Sequence, residues 1–263
     1  MDAAPSLRDV TVAISTLADG CDGVVLPPPA AGLRYLVLVQ QPPAPLPVWA
    51  ERPDTQITPL DTLGLSHSRN AALALCQTPF LAFADDDMTL DTDGLRALAD
   101  ALEGAPALGF AAGWRAGRRP VSGARAGIHP LRKHTAGRIC APELMVRIAA
   151  VHAAGVTFDP RFGVGAPHPI GEDYVFVCDM LGAGLRGQGF PIVTGTHHGP
   201  STGDDWHSPQ VQYARRAVIA RSFGRSAPMV RALYALRHKS SLGGWRAAWR
   251  FWAGQPNSTE HEK

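Results

Sequence analysis

Paired cysteines are missing from this chain. Its four, Cys21, Cys76, Cys140 and Cys178, stand alone with no CxxC spacing. That argues against a structural zinc site and provides no disulfide framework. The opening MDAAPSLRDV has neither a basic lead-in nor an apolar core, so no secretory signal is expected there. No run approaches the roughly 20 apolar residues that a membrane-spanning helix needs. Internal repeats and long low-complexity tracts are also lacking. These absences point to a reducing cytoplasm as the expected location.

The last shortage is local. Residues 206–259 hold 9 Lys/Arg and no Asp or Glu, whereas residues 1–205 hold 15 Lys/Arg and 21 Asp/Glu. A whole-chain charge of +2 therefore hides a basic segment joined to an acidic body. Such a segment suits an anionic partner, or else is a solvated helical face. No nucleic-acid-binding motif accompanies the charge, so nucleic acid is set aside. Within the segment Trp245, Trp249 and Trp252 fall at i, i+4 and i+7, one face of a helix, with Arg246 and Arg250 beside them. That pattern fits peripheral contact with the inner face of a membrane. The plainer alternative packs the indoles on the body or on a second subunit, and Gly243-Gly244 interrupts the helix.

What is present is the ordinary composition of a soluble globular protein, 45% hydrophobic and 18% charged. Residues 10–15 (VTVAIS), 35–40 (YLVLVQ) and 79–84 (PFLAFA) read as buried strands. Residues 42–53 are a proline-rich loop. Ser66 to Asn70 look like a serine-capped helix start before an Ala/Leu run, and Asp91 caps a helix through Leu102. Further strands are expected at 107–114, 143–148 and 190–194, with a basic, Gly-rich, mobile stretch at 115–134. Gly171-Glu172-Asp173 opens a helix through Leu181. Strand–helix alternation implies a mostly parallel sheet, whose ligands bind at the carboxyl ends of its strands.

Three aspartates, Asp85, Asp86 and Asp87, follow the third strand directly. Adjacent carboxylates repel unless a cation neutralises them. In extended chain Asp85 and Asp87 point to one side and can share a divalent ion, Mn²⁺ or Mg²⁺ by the chemistry of oxygen ligands. A solvated acidic turn is the alternative. Arg69 in a first helical turn, with free N–H groups, makes an anion site, or is a surface arginine. Glu172 and Asp173 either complement a helix dipole or include a general base. His197-His198, just after a strand, are candidates to complete the metal site.

In this order the features resemble the inverting family 2 glycosyltransferases of the GT-A fold. The matching segments are VTVAIST, YLVLVQQ, GLSHSRNAAL, FLAFADDD, FDPRFGVGAPHPIGEDYVFVCDMLGAG and PIVTGTHHGPST, spanning roughly residues 9 to 202. The resemblance implies a catalytic domain over 1–205, its nucleotide-sugar half about 1–105 and its acceptor half about 106–205, followed by a basic helical extension over 206–263. Ser15 and Thr16 would border the nucleotide base. Gln40 and Gln41 stand where the family carries a base-reading aspartate, and an amide can read a uracil edge. Arg69 would meet the nucleotide or its phosphates, and Asp85 and Asp86 the donor. Asp85, Asp87 and His197 or His198 would hold the metal. Asp173 would be the base, with Glu172 orienting it or binding the acceptor. The implied donor is a nucleotide-diphosphate sugar, UDP-linked for preference, and the acceptor a glycan or lipid-linked hydroxyl. Two rivals from other classes are a sugar-nucleotide nucleotidyltransferase and a non-catalytic sugar-binding scaffold. Against the first, no Gly-rich basic phosphate loop follows the first strand.

Overall fold

A computed structural model describes residues 9–43, 48–199 and 201–254. Part of the proline-rich loop (44–47) and Pro200 lie outside the described residues. In chain order the elements are β1 (Val10–Leu17), β2 (Leu33–Gln40), β3 (Thr55–Leu60), α1 (Leu65–Leu75), β4 (Phe80–Asp85), β5 (Met88–Leu90), α2 (Thr92–Glu103), β6 (Phe110–Arg115), β7 (His129–Pro130), β8 (Leu144–Arg147), α3 (Ile148–Ala154), α4 (Glu172–Gly182), β9 (Gly187–His197), α5 (Pro209–Phe223), α6 (Ala227–Arg237) and α7 (Trp245–Ala253).

The strands join in one sheet, ordered β3-β2-β1-β4-β8-β6-β9-β5, with β7 on β9. Strands β3, β2, β1 and β4 run parallel through registers of six to eight residues. The antiparallel pairs, β4 with β8, β6 with β8, β5 with β9 and β7 with β9, extend over only two or three. The sheet is therefore mixed, with parallel pairing dominant by length. Helices cover both faces, which is why β1, β2 and β4 are apolar at almost every position. Alternation then divides them. Ala13, Leu36, Leu38, Leu81 and Phe83 face one core together with α1 and α4, whereas Val12, Ile14, Val37, Val39 and Ala82 face another beneath α2.

Several local expectations change. Gly64, at φ 112°, precedes α1 and no serine caps it. The hydroxyls are used elsewhere: Ser66 Oγ donates to the Phe162 carbonyl at 2.7 Å, and Ser68 Oγ to Ser15 Oγ at 2.8 Å. Asn70 grips the Phe158 backbone from both sides, at 2.9 and 2.7 Å. The polar start of α1 thus anchors the loop that enters α4. Asp91 does cap α2, accepting from Gly94 N at 2.8 Å. Strands β3 and β5 and helix α3 carry no strong sequence signal. The 115–134 stretch is mostly exposed turns, broken only by β7.

The three C-terminal helices have a small core of their own, with Ile219, Ala235, Leu242, Ala248 and Phe251. They are also tied to the body. Val218 of α5 packs with Val175 and Phe162, Lys133 Nζ donates to the Ser222 carbonyl at 2.9 Å, and Arg221 bonds Asp159 and Asp179. Among the described residues no helix is long and apolar enough to cross a membrane.

Candidate active site

The carboxyl ends of β1 and β4 lie side by side, with Ser15 opposite Asp85. Beyond β4 the three aspartates separate. Asp86 turns toward the segment after β1, where Thr16 Oγ1 donates to its Oδ2 at 2.6 Å. Burial pushes the Asp86 carboxyl above the ordinary carboxylate range, only partly offset by that hydrogen bond. Asp85, the last residue of β4, and Asp87, in the two-residue turn before β5, instead bring their carboxylates together. Pairing of β5 with β9 sets Met88 opposite His197. That brings His197 Nε2 to 3.2 Å from Asp87 Oδ2.

Asp85, Asp87 and His197 each offer a ligand atom, all within 4.8 Å of one another. Two carboxylate oxygens and an imidazole nitrogen suit Mn²⁺ or a similar divalent ion. The surroundings fit as well. A Cβ on Gly199 would lie 2.8 Å from Asp87 Oδ2, so a side chain there would intrude on the carboxylate. Of the histidine pair, His198 is turned away, its Nε2 2.7 Å from Thr89 Oγ1. The choice left open between the two histidines therefore falls on His197, the last residue of β9, which alone groups with Asp85 and Asp87.

Arg69 also differs from expectation. Its side chain is only 3% exposed and faces carboxylates, not solvent. Nη1 donates to Glu172 Oε1 at 2.8 Å and to Asp173 Oδ1 at 2.5 Å, while Nη2 donates to Asp85 Oδ1 at 3.1 Å. Its terminal nitrogens bond carboxylates inside the protein, so the side chain holds three acids together. Burial opposes its charge, but Asp173, Asp85 and Glu172 more than restore it. One guanidinium cannot neutralise three acids beside Asp87. The residual negative charge is a second reason that a divalent cation fits.

Asp173 sits in the first turn of α4, where Gly171 supplies the left-handed entry at φ 95°. A Cβ on Gly171 would lie 2.3 Å from Val218, so α5 holds this turn from behind. Burial pushes the Asp173 carboxyl up to about 7, against the opposing pull of Arg69. Arg69 divides its charge among three partners, and Glu172 repels from the next position. Below lie stacked Phe158 and Phe176, their centroids 4.0 Å apart, with Phe83 edge-on to both. This apolar floor supplies the low-dielectric side of the cluster.

The remaining predicted residues are placed less directly. The Ser15 and Thr16 side chains are buried, Ser15 Oγ accepting from Ser68 Oγ and Thr16 Oγ1 donating to Asp86. Gln40 also bonds within the protein. Its Nε2 donates to the Thr62 carbonyl at 2.5 Å and the Gly64 carbonyl at 3.2 Å, and its Oε1 accepts from Gly64 N at 3.3 Å. It braces the loop before α1. Gln41 is exposed and is the one non-glycine with positive φ (56°) among the described residues. Such strain is usually retained at functional sites.

A network with no sequence motif adjoins the cluster. Arg115 Nε donates to Glu143 Oε1 at 3.3 Å, and its Nη1 to Ser201 Oγ at 3.4 Å. Cys140 beside it is pushed up to about 12 by burial and stays a neutral thiol. Only the arginine at the end of a strand hinted at it in sequence.

No family model matches the chain, and no curated protein matches it in sequence. Solved structures match it in fold. TarS 1–349 of S. aureus superposes at TM-score 0.58 with 14% identity, over 88% of this chain and 72% of that one, and has also been solved with UDP. The mannosyltransferase PcManGT of Pyrobaculum calidifontis, solved with GDP-Man and Mn²⁺, gives 0.59 and 17%, over 96% and 77%. Glucosyl-3-phosphoglycerate synthase of Mycobacterium tuberculosis, solved with Mn²⁺, UDP and glucosyl-3-phosphoglycerate, gives 0.54 and 13%, over 82% and 80%. The fold is that of the GT-A glycosyltransferases.

Proposed function

We propose that the chain transfers a sugar from a nucleotide-diphosphate sugar, UDP-linked for preference, to an acceptor hydroxyl with inversion at the anomeric carbon. The observation that carries this is the cluster at the strand ends, where Asp85, Asp87 and His197 converge within 4.8 Å and Arg69 bonds both Asp85 and Asp173. Neighbours of the same fold, solved with UDP or GDP-Man and with Mn²⁺, support the donor class. Asp85, Asp87 and His197 would hold a Mn²⁺ or Mg²⁺ ion, which when bound supplies positive charge against the donor diphosphate.

The protein's own residues account for the rest. Asp173, pushed up to about 7, is a carboxylate basic enough to take the acceptor hydroxyl proton near neutral pH. As that proton leaves, the acceptor oxygen bonds to the anomeric carbon. The bond from that carbon to the diphosphate oxygen breaks, and its electron pair departs with the nucleotide. One displacement inverts the centre. Arg69 keeps Asp173 and Asp85 in fixed relation, and Glu172 completes the frame. Exposed Gln41 is the better placed of the two glutamines to read the base. Water must be excluded, and the 115–134 stretch suits a lid: Val121 is 97% and Ile128 63% exposed, apolar surface that closure would cover. We assign residues 1–105 to the donor half, 106–205 to the acceptor half and 206–263 to a basic extension.

Incubation with UDP- and GDP-sugars and Mn²⁺, without acceptor, tests this. Slow release of nucleoside diphosphate is expected. Pyrophosphate exchange would instead identify a nucleotidyltransferase, and donor binding without turnover a sugar-binding scaffold.

A further inference from the structure

The outer face of the C-terminal helices is unused by the reaction proposed above. On α7, Trp245, Trp249 and Trp252 are 64, 54 and 43% exposed, while Ala248 and Phe251 turn inward. The alternative that these indoles pack on the body is therefore not what the structure shows. Helix α6 repeats the spacing: Met229, Leu233 and Leu236, also at i, i+4 and i+7, are 63, 60 and 52% exposed. Scattered apolar side chains on a surface need no explanation, but two helical rows do.

Charge selects what covers them. No Asp or Glu occurs in residues 206–259, and Arg237, Lys239, Arg246 and Arg250 lie on or between the two helices. Lys239 Nζ sits 4.3 Å from the Trp245 ring centroid. Trp245, Arg246, Trp249 and Arg250 line one open hollow, so a row of indoles and a row of guanidinium groups border a single depression. A lipid phosphate with its glycerol would meet both kinds of contact there. A second copy fits less well. In a two-fold contact the patch meets itself, and like charges would oppose each other with no carboxylate from the segment to pair them.

We infer that α6 and α7 dock on an anionic lipid surface, with the indoles at headgroup level and Arg246 and Arg250 on lipid phosphates. The acidic body, 21 Asp/Glu against 15 Lys/Arg over residues 1–205, is repelled by the same surface, so approach is oriented. Because α5 packs on α4, docking also fixes the distance of Asp173 from the bilayer. That suits an acceptor whose hydroxyl is carried by a lipid. The acceptor class rests on the transferase reading, whereas docking does not.

Co-sedimentation of the full chain with phosphatidylcholine vesicles, with and without phosphatidylglycerol, is the test. Binding is expected only with phosphatidylglycerol and should fall with salt. Trp245→Ser/Trp249→Ser/Trp252→Ser should weaken it, and Arg246→Gln/Arg250→Gln, at exposed or half-buried positions, should weaken it about tenfold or more. The thermal shift of both variants with UDP-glucose and Mn²⁺ should match that of the unaltered chain. Equal binding by all three proteins, binding to neutral vesicles alone, or no binding would overturn the inference. So would a particle that light scattering finds oligomeric and the tryptophan variant renders monomeric, since that assigns the face to a second copy. Vesicle binding with no shift from any of a set of UDP- and GDP-sugars with Mn²⁺ would support docking while removing the transferase reading and its acceptor.

Discussion

Arg69→Met is the most informative single change. It keeps the length and apolar stem of the side chain and removes a charge that bonds Asp85, Glu172 and Asp173. Arg69 is 3% exposed, so solvent screens these pairs little. Removing one partner of a buried ion pair costs about 3–5 kcal/mol, because uncompensated charge remains. Against a total stability of about 5–15 kcal/mol, that is a large share. In urea, with a slope near 3 kcal/mol per molar, the midpoint should fall by about 1 M or more at pH 8. The pH dependence carries the mechanism. In the variant the acids can relieve repulsion only by binding protons, so the folded state takes up more protons than the unfolded one between their unfolded and folded pKa values. Stability then falls as pH rises through that window, and the deficit should be largest at pH 8 and smaller near pH 5. Mn²⁺, by neutralising Asp85 and Asp87, should recover part of it. A midpoint shift that is small, or equal at both pH values, would refute the view that one guanidinium balances this cluster.

Asp173→Asn should retain donor binding, measured by thermal shift with UDP-sugar, and reduce transfer by about 10²-fold or more. Since burial pushes the Asp173 carboxyl up to about 7, kcat/KM should rise with pH through that region in the parent. The carboxylate is the active form, and a flat profile would remove it as the base. Asp87→Asn and His197→Ala should each weaken Mn²⁺ binding in isothermal titration with UDP present, whereas His198→Ala, which loses only its contact with Thr89, should not. Gly199→Ala should weaken Mn²⁺ binding while leaving the urea midpoint nearly unchanged, because its Cβ would meet Asp87 Oδ2.

The parts of the fold legible in sequence were those with a strong local signal. Strands β1, β2 and β4 are buried on both faces and read as unbroken apolar runs. Asp91 at the start of α2 and Gly171 before α4 mark their helices through capping and backbone geometry. Strands β5 and β7 are too short to show a period, and β3 carries a proline and half-exposed positions. The Asp85–Asp87 pair follows from its place at a strand end. Which histidine joins it depends on the β5–β9 register, a long-range fact no local pattern contains. The internal partners of Arg69 and Gln40 were not legible for one reason: residue type states what a side chain can bond, while burial and long-range packing decide which protein groups it meets.

The contact of Gly171 with Val218 bears on how the chain can be divided. The charge boundary near residue 205 invites a cut there, as though the basic helices were an attachment. Yet α5 forms the rear wall behind the first turn of α4, and Val175 and Phe162 share its surface. A protein shortened at that boundary would lose this wall and leave the carboxylate-bearing turn free to shift. Helix α5 is thus the abutment against which the carboxylate-bearing turn is set, and a shortened chain that proved inactive would say nothing about what the outer face of α6 and α7 touches.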